Sequence, residues 1–276
     1  MHTTLSSMRR PIFDREQIKL AAIVMMTLNH IAAIFLNDGS LLNSFLAGIG
    51  YFTAPVMCYF LVEGFRYTRS RKNYGLRLLL FSLLSQLPFS LAFHDLIKTF
   101  SVPVYLNVIF TFLTCFLILC AMEYMLPGPV QALLIFFLIC LTSLMDWGIM
   151  APFMVIFFRQ AEQTPDRLFA GFAVPLIMLP FSHLMRADGT IPGALCTMTG
   201  PLAAAICILF FYNGTEHGRI IRSDRQSAHS AHAPAVSHTK KEKTSAFSKW
   251  FFYLYYPCHL LILWAIHEFL YLPMVR

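Results

Sequence analysis

Two histidines attract attention because each lies in an apolar stretch long enough to cross a bilayer. His30 occurs in AAIVMMTLNHIAAIFL, and His259 occurs in YLYYPCHLLILWAI. An ionisable side chain is costly in hydrocarbon and usually persists there only when it faces the protein interior and has a function. Histidine accepts and donates protons near neutral pH, so both histidines are candidates for proton transfer. The adjacent Asn29 is a candidate member of the same catalytic site as a hydrogen-bond donor. The alternative is a pair of hydrogen-bonded histidines that only pack in the core.

Two further polar residues lie near the ends of apolar stretches. Asn107 occurs in YLNVIFTF, and Asp146 occurs in LMDWGIMAP. Both are candidates for contacting a substrate, and Asn107, like Asn29, could donate a hydrogen bond to a developing oxyanion. The alternatives are an interhelical hydrogen bond for Asn107 and the capping of a turn before Gly148 for Asp146.

A basic and aromatic run, EGFRYTRSRKNYGLRLLL, follows the second apolar stretch. Arginine matches phosphate oxygens with a forked set of donors, and tyrosine can stack on a base. The run therefore predicts a phosphate-binding rim. Its candidate members are Glu63, Arg66, Tyr67, Arg69 and Arg77. Membrane topology alone is the alternative explanation for the positive charge.

The composition is that of a membrane protein. Hydrophobic residues make up 57% of the chain and charged residues 13%, whereas a soluble domain has about 25% charged residues. We expect an all-α, polytopic bundle of membrane-spanning helices. The net charge of +7 falls beside apolar stretches, so we predict no nucleic-acid binding. The seven cysteines form no CxxC pair, and we predict neither a disulfide framework nor a metal site.

Nine apolar stretches are candidate spans. They cover 18–36, 41–62, 76–93, 104–126, 130–145, 148–158, 168–185, 190–212 and 251–272. With nine crossings and a cytoplasmic N-terminus, all Lys and Arg residues except Lys98, Arg186 and Arg276 lie on the cytoplasmic side, as the positive-inside rule requires. The alternative has eight crossings, with 148–158 re-entrant.

The predicted organisation has four parts. It comprises a cytoplasmic segment at 1–17, a membrane domain at 18–212, a disordered cytoplasmic loop at 213–249 and a last transmembrane helix at 250–276. The loop prediction rests on the polar, Ala- and Ser-rich composition of this segment, which has too few apolar residues to fold. The first span is expected to act as an uncleaved anchor, since no small-residue cleavage site follows it.

Several sequence blocks together resemble the TraX family of conjugation-system membrane proteins. They are TLNHIAAIF, FLVEGFRYTRSRKNYGLRLLLFSLLSQLPF, LNVIF, DWGIM and FYLYYPCHLLILWAI. The resemblance implies an acetyltransferase that uses acetyl-CoA and modifies the N-terminus of pilin, and His30 and His259 match the family's first-span and last-span histidines. The family usually has Asp before its first histidine, whereas this chain has Asn29, which can hydrogen-bond an imidazole but cannot place a charge beside it.

The function predicted from residues and resemblance together is acetyl transfer from acetyl-CoA to an amine, with pilin or another amine-bearing protein as the acceptor. A neutral histidine suits the removal of the amine proton during attack on the thioester. Two other classes remain open: a transporter with His30 and His259 along its path, and a non-enzymatic assembly subunit. The sequence identifies neither the acceptor nor the oligomeric state.

Overall fold

The structure is a computed structural model that describes residues 13–36, 40–93, 105–161, 164, 166–186, 189–212, 215–216, 219–220 and 246–275. These residues are mostly helical. The helices are α1 (Arg15–Phe35), α2 (Leu41–Gly50), α3 (Thr53–Tyr67), α4 (Arg71–Ala92), α5 (Val108–Tyr124), α6 (Pro129–Thr142), α7 (Met150–Gln160), α8 (Asp166–Leu184), α9 (Ile191–Ile206), α10 (Ala246–Ile266) and α11 (Leu272–Val275). π-helical turns continue α9 over Cys207–Phe211 and α10 over His267–Tyr271, and Thr215–Glu216 pairs with Arg219–Ile220 as an antiparallel hairpin of two short strands, β1 and β2.

Capping side chains determine where several helices begin. Asp14 accepts a hydrogen bond from the backbone of Gln17, and the Gln17 side chain accepts one from Asp14, which together form a capping box at the start of α1. Ser70 accepts from the backbone N–H of Asn73 at the start of α4, and Thr190 caps α9 in the same way. Each cap satisfies a backbone donor that the helix itself leaves unpaired.

Helix α3 lies at the centre of the bundle. It contacts α1, α5, α7 and α9, and its residues Val56 and Cys58 are completely buried. By contrast, α6 buries only Leu138 and Thr142 and exposes most of its apolar side chains. Because exposed apolar surface of this kind suits lipid rather than water, α6 has the pattern of a peripheral, lipid-facing helix.

Ion pairs bring several helix ends together at one end of the bundle, which we call the basic end. The Arg15 guanidinium at the start of α1 lies 3.6 Å from the Glu63 carboxylate near the end of α3. The Glu123 carboxylate, near the end of α5, lies 3.1 Å from Arg71 at the start of α4 and 2.6 Å from Arg159 at the end of α7. The helices therefore alternate in direction along the chain.

The second predicted span is broken in the structure. The stretch 41–62 forms α2 and α3, separated at Tyr51 and Phe52, where backbone hydrogen bonds shorten into a turn. The break lies beside a close helix crossing: a Cβ added at Gly200 would come within 2.3 Å of the Gly48 carbonyl oxygen. Small residues allow helices to approach this closely in membranes.

Length and composition fit a multi-pass membrane protein. Among the described residues, five helical segments are long and apolar enough to cross a membrane. They are Arg15–Phe35, Leu41–Tyr67, Arg71–Ala92, Asp166–Leu184 and Ile191–Phe211. Helices α5 and α6 are apolar but shorter, and the stretch predicted at 148–158 forms the 11-residue α7. The predicted loop at 213–249 lies outside the described residues except for the hairpin and the first turn of α10.

Candidate functional site

A cavity of about 1280 Å³ runs through the bundle from the basic end past His30. At the basic end its wall includes Arg15, Lys19 and Arg77, and at the other end it includes Asp146 and Trp147. Its volume exceeds the 300–1,000 Å³ that is usual for small-ligand pockets. The cavity is therefore large enough for an extended ligand, and it has a different chemical character at each end.

The two histidines from the first and last long helices meet at this cavity. His30 Nδ1 lies 2.7 Å from His259 Nε2, and the two rings are nearly parallel, with an angle of 8° between their planes. His259 Nδ1 lies 2.9 Å from the carbonyl oxygen of Tyr255. Both histidines are buried, and His30 also lines the cavity.

These contacts determine where the protons of two neutral imidazoles lie. A carbonyl oxygen can only accept a hydrogen bond, so His259 Nδ1 must carry the proton that it donates to Tyr255. His259 Nε2 is then an acceptor, and His30 Nδ1 must donate to it. In this arrangement His30 Nε2 has a free lone pair, and no hydrogen-bond partner occupies it among the residues that the structure describes. His30 thus has the form of a base oriented by a second residue.

The faces of α1 and α10 bring the pair together. Thr27 lies one turn before His30, and Tyr255 lies one turn before His259, so each polar residue shares a helix face with its histidine. The Thr27 hydroxyl donates to the carbonyl oxygen of Ile23 at 2.9 Å and accepts from the Tyr255 hydroxyl at 2.8 Å. The Phe93 ring packs edge-on against His30, with 5.3 Å between the ring centroids. The histidine pair is therefore held by a polar contact between the facing sides of α1 and α10 and by the Phe93 ring at the end of α4.

Asn29 supports this region from the side. Its amide donates to the carbonyl oxygen of Ala47 at 2.9 Å, and it packs against Gly50, where an added Cβ would come within 2.1 Å of the Asn29 Cβ. Glycine is required here because α1 and α2 approach so closely. Asn29 also lines the cavity, and one amide proton remains after the bond to Ala47.

The basic end of the cavity has the groups that an anionic ligand needs. The buried Nε of Arg77 has no hydrogen-bond partner among the described residues. Tyr67 and Arg69 also line this part of the wall, as does Ser70, the residue that caps α4. The N-terminus of a long helix carries partial positive charge and favours phosphate. The Arg77 guanidinium also hydrogen-bonds the Tyr253 hydroxyl and lies over the Tyr74 ring, so its Nε remains available to a ligand. An available guanidinium N–H in the same part of the cavity as a helix N-terminus has the character of a phosphate-binding site.

Comparison with known proteins gives the family. The model of the TraX protein family matches residues 14–267. The chain belongs to the TraX family. It is also 30% identical over 269 residues to a protein of Dichelobacter nodosus named probable fimbrial assembly protein FimC, serogroup H1, and the match covers 94% of this chain and 97% of that relative. No solved structure matches.

Other predicted site residues of this TraX-family chain lie outside the cavity wall. Glu63 accepts hydrogen bonds from the Tyr212 hydroxyl at 2.8 and 3.0 Å, in addition to its ion pair with Arg15. The Arg66 guanidinium lies over the Tyr67 ring, 5.3 Å from its centroid, and its side chain is exposed. The structure therefore gives Glu63 a role in joining α1, α3 and the end of α9.

Asn107 is buried in a polar cluster away from the cavity. Its amide nitrogen donates to the Ser82 carbonyl oxygen at 2.8 Å and to Gln86 Oε1 at 2.9 Å, and its amide oxygen accepts from the N–H of Ile109 at 3.0 Å. Both amide protons are used, so none remains for an oxyanion. The residue acts instead as the N-cap of α5 and links it to α4.

Several cavity residues were missed from the sequence. Arg15 and Lys19 were assigned only to topology, and Tyr256 was not singled out. Tyr256 is buried, lines the cavity and stands beside both histidines, with ring centroids 6.3 Å from His30 and 5.6 Å from His259. The spacing of polar residues at three or four positions from each histidine would have indicated Thr27 and Tyr255, but aromatic residues are too frequent here for Tyr256 to stand out. Within the part of the chain that the structure describes, no group of three or more His, Cys, Asp or Glu residues could hold a metal.

Proposed function

We propose that this TraX-family chain is a membrane-bound acetyltransferase that moves an acetyl group from acetyl-CoA to an amine, with the N-terminus of a pilin subunit as the acceptor. The observation that carries the proposal is the free Nε2 of His30 at the cavity wall, oriented by His259. Family membership and the relative named as a fimbrial assembly protein support a pilus-related role. A resemblance to acetyltransferases supplies the reaction class.

His30 would act first as a base and then as an acid. As the neutral amine attacks the thioester carbonyl, a C–N bond forms and His30 Nε2 takes the amine proton. When the tetrahedral intermediate collapses, the C–S bond breaks and the imidazolium returns that proton to the departing sulfur. His259 stabilises the charged ring by accepting from His30 Nδ1, and the remaining amide proton of Asn29 is the candidate oxyanion donor.

The basic end would bind the phosphates of acetyl-CoA. Arg77, Arg69 and Lys19 line this end, and Tyr67 offers a ring on which the adenine base could stack. From here the pantetheine arm would extend along the cavity toward His30. Arg15 is also at the wall, but its ion pair with Glu63 assigns it a second, structural task.

A nine-span topology with a cytoplasmic N-terminus suits this mechanism, because it puts the basic end where acetyl-CoA is found. The ion pairs of Glu123 with Arg71 and Arg159 support it, since they hold the ends of α5 and α7 on one side. Helices α6 and α7 thus leave and return to the same end. Because this pair returns to the same end, the later basic segments lie on the side of Arg15 with or without a full crossing by α6 and α7. The expected location is the inner membrane of a bacterium.

One observation favours a second candidate function. The cavity extends from the basic end to Asp146, as the path of a transporter would. A transporter would have no need to bind acetyl-CoA, so binding separates the two functions.

The test measures binding and turnover of labelled acetyl-CoA by the purified protein in detergent, with a short peptide bearing a free N-terminal amine as acceptor. Arg77→Gln should weaken acetyl-CoA binding at least 10-fold. Lys72→Gln, which removes an exposed charge from the same end but lies off the cavity wall, should leave binding unchanged. His30→Gln should bind normally but lose at least 100-fold in turnover, in line with removal of a general base. Absence of acetyl-CoA binding by folded wild-type protein would contradict the proposal.

A further inference from the structure

Asp146 occupies a rigid turn at the end of the cavity opposite the basic residues. Its backbone N–H donates to the Leu106 carbonyl oxygen at 2.9 Å, and its own carbonyl oxygen accepts from the Thr111 hydroxyl at 2.5 Å. The next residue, Trp147, has a φ of 60°, which is uncommon for an aromatic residue. Backbone strain of this kind persists where the surrounding structure enforces it, often at ligand sites.

Several aromatic side chains lie near the Asp146 carboxylate at the cavity wall. The phenols of Tyr51, Tyr105 and Tyr256 are close enough to interact with it electrostatically, and all three line the cavity. The Trp147 ring packs edge-on against Tyr51, with 5.6 Å between centroids. In the part of the chain that the structure describes, no Lys or Arg forms an ion pair with Asp146. The carboxylate therefore has aromatic neighbours at the cavity wall and no ion-pair partner among the described residues. Arg186 also lines the cavity and acts electrostatically on Tyr51, but it forms no ion pair with Asp146.

The Tyr256 hydroxyl is a second and independent observation that points to a ligand-binding site. Its side chain is 5% exposed, and its buried hydroxyl has no hydrogen-bond partner among the described residues. The backbone N–H of Val108 lies near the hydroxyl oxygen, but an N–H can only donate, so the hydroxyl proton still lacks an acceptor. A buried polar group without a partner is costly, and one that lines a cavity is readily satisfied by a ligand.

We propose that Asp146, enclosed by Tyr51, Trp147, Tyr105 and Tyr256, binds the acceptor substrate as a primary ammonium. This inference rests on the proposed acetyl transfer and names the chemical class of its second substrate. A carboxylate combined with aromatic ring faces suits an organic cation, because both attract positive charge. A hydroxyl acceptor would gain little from either.

The location of this ammonium site fits the order of proton transfers. Tyr256 is close enough to Asp146 to interact with it electrostatically, and its ring centroid lies 6.3 Å from that of His30. A group held at Asp146 would therefore lie toward the His30 side of the cavity. The bound ammonium must lose one proton to solvent to become a nucleophilic amine. The second proton goes to His30 Nε2 as the C–N bond forms, and the sulfur of CoA leaves with it.

The experiment uses equilibrium dialysis to measure the binding of labelled phenylalaninamide to the purified full-length protein in detergent. This probe carries a free α-ammonium. Wild-type protein should bind it, and Asp146→Asn should weaken binding at least 10-fold. Asp166→Asn removes an exposed carboxylate at the start of α8, away from the cavity wall, and should leave binding unchanged. Unlabelled phenyllactamide, with a hydroxyl in place of the ammonium, should compete at least 10-fold less well than unlabelled phenylalaninamide.

Tyr256→Phe, which removes a single oxygen atom, gives a second readout if Asp146→Asn fails to fold, and should weaken binding about 5-fold. No binding to wild-type protein, equal binding by Asp146→Asn, or equal competition by phenyllactamide would overturn the ammonium site. Because the assay contains no acetyl-CoA, these outcomes are separate from those that test acetyl transfer. Acetyl-CoA binding without ammonium binding would leave the transferase proposal standing and remove only this one.

Discussion

Two buried polar clusters in this protein differ in whether every hydrogen-bonding atom of their side chains has a partner. Around Asn107, the amide nitrogen and oxygen bond Ser82, Gln86 and Ile109 at 2.8–3.0 Å, and the residue is completely buried. In the pair of His30 and His259, three ring nitrogens are used and His30 Nε2 is left facing a cavity.

The difference distinguishes polar residues that stabilise helix packing from polar residues that can react or bind a ligand. A polar group that is fully bonded inside the protein rigidifies the contact between helices and has no capacity for a substrate. A group with an unused lone pair or proton at a cavity wall costs stability unless a ligand satisfies it. By this criterion Asn107 supports the fold, whereas His30 and Tyr256 are available for chemistry and binding.

Among the variants that test this comparison, Asn107→Ala is expected to have the largest effect, on the free energy of unfolding. The change removes the N-cap of α5 and leaves buried partners on α4 unpaired, so we expect a loss of ~3 kcal/mol in unfolding free energy. Thermal unfolding in detergent would detect it. Turnover per folded molecule should stay within about 2-fold of wild type, since general-base chemistry does not involve this residue. Normal stability with lost turnover would instead move Asn107 into the reacting site.

Variants of His259 test the other cluster through turnover, and their expected effect is smaller. His259→Leu removes the acceptor for His30 Nδ1, so turnover should fall about 100-fold with unchanged acetyl-CoA affinity, as expected when a base loses the residue that orients it. His259→Gln can still offer an oxygen to His30 and should lose only about 10-fold. Steady-state kinetics with both variants make the measurement. Equal losses in the two variants, or a loss confined to acetyl-CoA affinity, would argue for a packing role.

Glu123→Gln should have the smallest effect. Glu123 links α4, α5 and α7 through Arg71 and Arg159, but its side chain is 29% exposed, so screening limits the ion pairs to less than about 1 kcal/mol. Unfolding midpoints in low and high salt would measure this contribution. We expect unchanged turnover, because the residue lies off the cavity wall. A large loss of turnover would mean that polar clusters at the basic end are coupled to the site.

Much of the helical framework could be predicted from the pattern of apolar residues. A helix of at least 11 residues overlaps each predicted span, because apolar runs interrupted by polar and basic residues dictate where a chain can be helical in a membrane. The break between α2 and α3 was not predicted. It depends on Tyr51 and Phe52 leaving the helical path where α2 crosses α9. Gly50 and Pro55 flank that point in the sequence, but Gly and Pro are frequent in transmembrane helices and do not by themselves predict a break.

The candidate site was only partly predictable. His30 and His259 could be selected because ionisable residues in apolar stretches are rare, but nothing in the sequence shows that they lie 2.7 Å apart. Glu63 and Asn107 looked equally suitable by residue type. Their side chains are instead bonded to Tyr212, which is 149 positions from Glu63, and to Gln86, which lies on the helix before Asn107. Residue type indicates what a side chain can do, but its partners determine what remains for it to do.

The sequence by itself determined the membrane class, the positions of the helices and the small set of polar residues that hydrocarbon would not tolerate without a partner or a function. These properties follow from local composition, since the cost of polar groups in lipid acts on each segment separately. Only the tertiary structure decided which of those residues share a cavity, which nitrogen of His30 is free, and that Asp146 has tyrosines near it and no ion-pair partner among the described residues. The histidine contact joins residues 229 positions apart, and the tyrosines near Asp146 come from three other parts of the chain. Both arrangements depend on how helix faces pack together.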